Sequence, residues 1–262
     1  MMTFLPVDMS GMRVLVTAGG AGIGRTIAAA FRDRGARVFI CDVSRSALDD
    51  ARALLPDVPG EVVDVGDSTA VSGMFAAVER TLGGLDVLIN NAGIAGPTAR
   101  VEDVTDEALA ETLSVNVASQ FYCARHAVPM LKAAKGGSII NLSSIAGRLG
   151  FTMRSPYSAS KWAVIGFTKS LAVELGEFNV RVNAILPGHV NSERFRRVVK
   201  AKAEALGLGF EEMRRQYLDA VSLKRNVESE DIANMALYLA SPFGVNITGQ
   251  AISVCGDVQM MK

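Results

Sequence analysis

Residues 13–24 read Arg13-Val-Leu-Val-Thr17-Ala18-Gly19-Gly20-Ala21-Gly22-Ile23-Gly24, and this stretch decides the fold. Arg13 to Thr17 is a short apolar run of branched side chains, the pattern of a strand buried on both faces. Glycines follow at once. From Ile23 to Arg34 the apolar residues Ile27, Ala28 and Phe31 then recur at helical spacing, until Gly35 stops the helix. A glycine-rich turn between a strand and its helix lets backbone N–H groups close on a pyrophosphate, and the helix N-terminus adds positive potential. Gly22 and Gly24 stand where close helix–strand contact calls for small residues. A ligand-free tight turn is the plain alternative; the strand before the glycines and the helix after them favour the nucleotide reading. No Gly-Lys-Ser or Gly-Lys-Thr follows, which excludes a P-loop.

Working outward, short apolar runs alternate with longer amphipathic ones. Strands are expected at 37–41, 61–65, 85–90, 138–142, 179–186 and 247–254. Helices are expected at 45–55, 68–82, 106–132 with a break near Val115, 157–174 and 229–239. This rhythm predicts an α/β fold: a Rossmann-type, doubly wound parallel sheet of about seven strands with helices on both faces. Residues 190–223 interrupt the even spacing and read as a mostly helical insertion above the sheet. No linker rich in Pro, Gly or Ser divides the 262 residues, so one domain over 1–262 is expected.

Lys plus Arg equals Asp plus Glu at 27 each, which argues against a protein that binds nucleic acid mainly through phosphates. Cys41, Cys123 and Cys255 share no metal-ligand spacing and fit a reducing compartment. Two histidines, His126 and His189, leave no basis for a His-rich metal site, and no metal is expected. No run of apolar residues is long enough to span a membrane, and the N-terminus lacks the pattern of a secretory signal, so a cytoplasmic location is expected.

Asp42 ends the second strand, 23 positions beyond Gly19. A carboxylate there accepts both hydroxyls of an adenosine ribose and repels the extra phosphate of NADP, so NAD is the expected cofactor. Ala21 is not basic, and Val43 and Ser44 follow Asp42. A turn or helix-cap carboxylate is the plain alternative.

Three further stretches belong together: Asn90-Asn91-Ala92-Gly93, Ser143-Ser144 and Tyr157-Ser-Ala-Ser-Lys161. With these motifs, residues 11–256 resemble the short-chain dehydrogenase/reductase family. Its nucleotide motif matches residues 17–24, its NNAG motif 90–93, its active-site tyrosine and lysine Tyr157 and Lys161, its catalytic serine Ser144, its assisting asparagine Asn116, and its Pro-Gly pair Pro187 and Gly188. The residues also carry a physical reading of their own. Tyr157 and Lys161 stand four apart on a helix and point to one side. A nearby ammonium favours the phenolate, so Tyr157 can exchange a proton with an alcohol as hydride leaves the same carbon. Ser144 is placed to hydrogen-bond the substrate oxygen.

The resemblance implies further roles. Asn116 would hold a water linking Lys161 to solvent, and Lys161 would touch the nicotinamide ribose. Asn91 would contact the adenosine ribose through its backbone, with Ala92 next to it, Gly93 would let the cofactor pass closely, and Asp64 and Val65 would stand beside the adenine. Pro187, Gly188, Val190 and Ser192 would wrap the nicotinamide carboxamide. Ala18, Gly20, Ala21, Gly22, Ile23 and Gly24 complete the phosphate turn. Ala18 replaces the usual glycine, a change tolerable if its φ is negative. A homotetramer is also implied, with apolar Phe121, Trp162, Ile165 and Phe167 at one contact and the tail around Val258 to Met261 at another. Arg148 and His189 are the expected polar contacts to a small-molecule substrate. Most of Arg194, Arg196, Arg197, Lys200 and Lys202 read as an outer helix face. Two other functions fit the same residues: an NADP-dependent 3-oxoacyl-thioester reductase, and a nucleotide-binding regulator without chemistry.

Overall fold

The computed structural model describes residues 5–260. Seven strands form one parallel sheet in the order β3-β2-β1-β4-β5-β6-β7. They are β1 (Arg13–Thr17), β2 (Arg37–Asp42), β3 (Gly60–Val62), β4 (Val87–Asn90), β5 (Gly137–Leu142), β6 (Val180–Pro187) and β7 (Ala251–Val254). The order reverses between β1 and β4, which opens a crevice at their carboxyl ends where open α/β sheets take ligands. The central strands are buried on both faces, as their unbroken apolar runs require.

The helices are α1 (Gly22–Arg32), α2 (Arg45–Leu54), α3 (Ser68–Leu82), α4 (Asp106–Leu113), α5 (Ser119–Ala133), α6 (Ser155–Leu175), α7 (Glu193–Leu206), α8 (Phe210–Asp219) and α9 (Ser229–Ala240). One core layer packs α1 and α9 against the sheet through Ile27, Phe31, Ile232 and Leu237. The other packs α3, α5 and α6 through Met74, Val78, Leu131 and Leu171. The break expected near Val115 is a π-helical turn, Ser114–Ala118, between α4 and α5. Such turns are frequently found at functional sites. The insertion folds as α7 and α8, whose inner residues Val199, Ala203, Met213 and Tyr217 form their own cluster with Ala146 and Phe151.

Both edge strands are shorter than their apolar runs. β3 ends at Val62, with Val63 and Val65 buried beyond it, and β7 begins at Ala251 rather than at Ile247. Val258 is buried and bridges Val221, so this part of the tail packs on its own chain. Met261 lies outside the described residues.

Candidate active site

The glycine turn is held from beside as well as from below. Thr17 Oγ1 accepts from the Asn91 and Ala92 N–H groups, both at 3.0 Å. The Asn91 amide donates to the Thr17 and Ala18 carbonyls at 2.9 and 3.2 Å. Ala18 sits at φ +49°, in the left-handed region, which corrects the expectation of a negative φ. Gly24 allows α1 to press onto this turn: a Cβ there would lie 2.1 Å from the Ala18 carbonyl oxygen. No side chain caps α1 and no acidic residue stands in its first turn, so its leading N–H groups and dipole face the crevice unanswered.

Asp42 is 9% exposed at the end of β2. Its Oδ2 accepts from the Gly20 N–H at 3.1 Å and its Oδ1 from the Ser44 N–H at 3.0 Å. Ser44 caps α2, so the cap alternative does not describe Asp42. Each carboxylate oxygen keeps capacity for a further donor. Val43 is exposed beside it, Asp64 is exposed past β3 and accepts from the Gly66 N–H, and Val65 is buried. An uncapped helix N-terminus, a glycine turn and a carboxylate beyond them are the donor and acceptor set that a dinucleotide's diphosphate and ribose require.

Past the switch point, a buried amide ladder ties three elements. Asn90 donates to Asn141 Oδ1 at 2.9 Å, and Asn141 donates to Thr168 Oγ1 at 3.0 Å. This fixes β4, β5 and α6 relative to one another. α6 begins with Pro156 in its first turn and carries Tyr157 and Lys161 one turn apart. The Lys161 ammonium donates to the Leu142 carbonyl at 2.9 Å and lies 5.7 Å from the centre of the Tyr157 ring. Burial, together with the positive charge of Arg194, lowers the Lys161 pKa to about 7. The π-helical turn delivers Asn116, fully buried, to the same place. Its Oδ1 accepts from the Ile94 N–H at 2.7 Å, and its Nδ2 donates to the Ile94 carbonyl at 3.1 Å and to Ser160 Oγ at 3.0 Å. Gly93 lets both groups approach, since a Cβ there would lie 3.0 Å from Asn116 Oδ1 and 3.3 Å from Lys161 Nζ. Ser144 follows β5 and caps a short 3₁₀ turn, accepting from the Ala146 N–H at 3.2 Å.

These groups open on a cavity of about 130 Å³ whose wall includes Ile23, Asn91, Ser144, Tyr157, Lys161, Pro187, Gly188, Val190 and Ser192. His189 also lines it, stacked on Phe195 and edge-on to Tyr217; burial lowers its pKa to about 4. Arg148 does not line it. Its guanidinium turns to β7, where it donates to Ser253 Oγ at 3.2 Å and to the Ala251 carbonyl.

Of the five insertion cations, Arg196 and Lys200 face outward and pair with Glu193 and Glu204, and Arg197 is exposed. Arg194 reaches across the crevice and donates to the Gly93 carbonyl at 2.7 Å. Lys202 is buried and donates to the Thr152 carbonyl at 2.7 Å. Phe151, in the loop of residues 146–153 expected to meet the substrate, lines the cavity, and sequence reading missed Arg154 just beyond that loop. The spacing Val199, Lys202, Ala203 places Lys202 on the apolar face of α7 and is a signal that could have found it.

Sheet order, glycine turn, Asn116, Ser144 and the Tyr157–Lys161 pair together define a nucleotide-dependent oxidoreductase, and the chain belongs to the short-chain dehydrogenase/reductase family. A family profile described as Enoyl-(Acyl carrier protein) reductase matches residues 17–257. An uncharacterized oxidoreductase of Thermotoga maritima is 34% identical over 252 residues, covering 95% of this chain and 98% of that one. The structure of an NAD+-bound xylitol dehydrogenase superposes with a TM-score of 0.91 at 29% identity, over 95% of this chain and 99% of that one. An actinorhodin polyketide ketoreductase with NADPH superposes with a TM-score of 0.92 at 30% identity, over 97% and 99%.

Proposed function

We propose that this chain is an NAD-dependent oxidoreductase that moves hydride between the nicotinamide and a secondary alcohol or ketone. The cofactor choice rests on Asp42, because the two structural relatives above carry different cofactors. With Oδ2 turned to the Gly20 N–H at the head of the phosphate turn, a 2′-phosphate would meet a carboxylate where NAD offers a hydroxyl.

NAD, when bound, supplies the hydride acceptor. Ser144 holds the substrate oxygen, and Tyr157 takes the hydroxyl proton in oxidation or returns it in reduction. The ammonium form of Lys161 stabilises the tyrosinate electrostatically, and Asn116, fixed on both sides by Ile94, steadies the solvent path behind Lys161. Gly20 to Gly24 and Asn91 to Gly93 hold the cofactor's phosphates and adenosine, and Pro187 to Ser192 hold its carboxamide end. An alcohol panel with NAD and NADP, followed at the absorbance of the reduced cofactor, tests this reading. Tyr157→Phe should keep nucleotide binding and lose about 10²–10⁴-fold in kcat. Full turnover in that variant, or a strong preference for NADP, contradicts the reading.

The same reading includes a homotetramer in the cytoplasm. Phe121 and Trp162 are 48% and 54% exposed on α5 and α6, and the Phe121 and Phe167 rings meet at 4.0 Å. This apolar face suits a two-fold contact. The three cysteines are free and buried, as a reducing compartment permits. A light-scattering mass near one chain would contradict the tetramer.

A further inference from the structure

The cavity above Tyr157 carries an unbalanced charge. Its wall holds Arg154, Lys161 and Arg194 and no aspartate or glutamate. Arg154 is the buried guanidinium among them. It is 2% exposed, and its Nη2 donates to the Ala95 carbonyl at 2.5 Å, while the N–H groups of Nε and Nη1 are buried without a partner. No ion pair among the described residues involves it. The Phe151 and Tyr157 rings flank the guanidinium, each centred 5.2 Å from it. Burial lowers its pKa, with Arg194 adding like-charge repulsion and the tyrosines opposing both.

A second set of buried groups points into the same space from other elements. Both ring nitrogens of His189, on the loop after β6, and the hydroxyl of Tyr217, on α8, are buried without partners. A neutral His189 offers one donor and one acceptor. Between these polar points the wall is made of Phe151, Phe195 and Val198. A buried guanidinium with unpartnered donors is shaped for the two oxygens of a carboxylate. Aromatic walls suit an apolar carbon body.

We infer that Arg154 receives a carboxylate of the substrate, and that the alcohol or ketone handled at Tyr157 belongs to a short hydroxy acid or oxo acid. The inference rests on the oxidoreductase reading above and narrows its substrate class. In the oxidising direction the carbinol C–H bond breaks and its electron pair leaves as hydride to NAD, while the hydroxyl proton passes to Tyr157. The products are the oxo acid, NADH and one proton, and the carboxylate is unchanged. The 5.2 Å between the guanidinium carbon and the centre of the Tyr157 ring sets the scale, placing the carboxylate only a few bonds from the reacting carbon.

The test pairs acids with their neutral isosteres. The full chain with NADH is titrated calorimetrically with cyclohexanecarboxylate and with cyclohexanecarboxamide. Turnover with NAD is then measured on aliphatic and cyclic 3- and 4-hydroxy acids and on their carboxamides. Charge-assisted bonds of this kind predict an acid-over-amide preference of about 10- to 100-fold in Kd and in kcat/KM. Arg154→Met should bring that ratio near one, and Arg154→Lys should restore part of it. The ratio is taken within one preparation, so a general loss of active protein cancels. If Arg154→Met does not fold, the wild-type ratio decides by itself. Equal handling of acids and amides by wild type, with good turnover of neutral alcohols, overturns the inference and leaves the oxidoreductase reading standing. Selective carboxylate binding with no hydride transfer upholds the anion site and removes the catalytic reading.

Discussion

Lys161→Met should make the cofactor-free protein more stable while abolishing turnover. Lys161 is 4% exposed, its one hydrogen-bond acceptor among the described residues is the Leu142 carbonyl, and Arg194 adds like-charge repulsion. Burial first, and Arg194 second, bring its pKa from 10.5 to about 7. Between these values the unfolded chain binds a proton that the folded chain does not, so stability rises with pH across that window. At pH 7 the linkage amounts to about 4 kcal/mol of lost stability relative to a neutral side chain. Removing the bond to Leu142 gives back about 1 kcal/mol, leaving the variant ahead by about 3 kcal/mol. At pH 9 the linkage falls to about 2 kcal/mol, so the gap should close by about 2 kcal/mol. Urea unfolding of both proteins at pH 7, 8 and 9 measures this directly. A wild type that is the more stable at pH 7, or a gap that does not change with pH, would refute the reasoning.

Three further outcomes are expected. Ala18→Gly relieves a left-handed alanine worth about 1–2 kcal/mol and adds glycine's unfolded-state entropy of about 0.5–1 kcal/mol, so urea melts should show a net gain of about 0.5 kcal/mol. Asp86 binds Arg13 through Nε and Nη2, both at 2.8 Å; burial raises its pKa, but the bonds from Arg13 outweigh it and hold the carboxyl below 3.8. That stabilisation is present above the unfolded value and is lost as pH falls through the lower folded value, so Asp86→Asn should cost about 1–3 kcal/mol at neutral pH and progressively less below about pH 4. Asp42→Ala should weaken NADH and admit NADPH, moving the ratio of their kcat/KM values by about tenfold or more toward NADPH; an unmoved ratio assigns Asp42 to the turn alone.

The central sheet is legible in the sequence because β1, β2, β4, β5 and β6 are buried on both faces and so appear as unbroken apolar runs. β3 and β7 lie at the edges, where pairing ends before the apolar residues do, and their bounds are correspondingly short. The positions of Ser144, Tyr157, Lys161 and Asn116 follow from ordered local motifs. Arg154 has no such signal, because its surroundings are assembled in three dimensions, from the Phe151 and Tyr157 rings and the Ala95 carbonyl of a distant loop. Arg148 is near Ser144 in sequence, but the 3₁₀ turn between them directs its side chain to β7. His189 follows the Pro187-Gly188 pair directly, and β6 carries it into the cavity wall.

Charge balance over the whole chain conceals a local field at the cavity. The 27 basic and 27 acidic side chains cancel, and the isoelectric point near 6.8 describes a molecule with almost no field at a distance. A cleft with low-dielectric walls and cations of one sign nevertheless concentrates its potential at the mouth, within about a Debye length. Capture of anions there should slow steeply as salt rises, while capture of neutral molecules stays flat. Near its isoelectric point the protein should therefore barely migrate in an electric field, while a salt-dependent rate of anion capture would report the cations of its cavity.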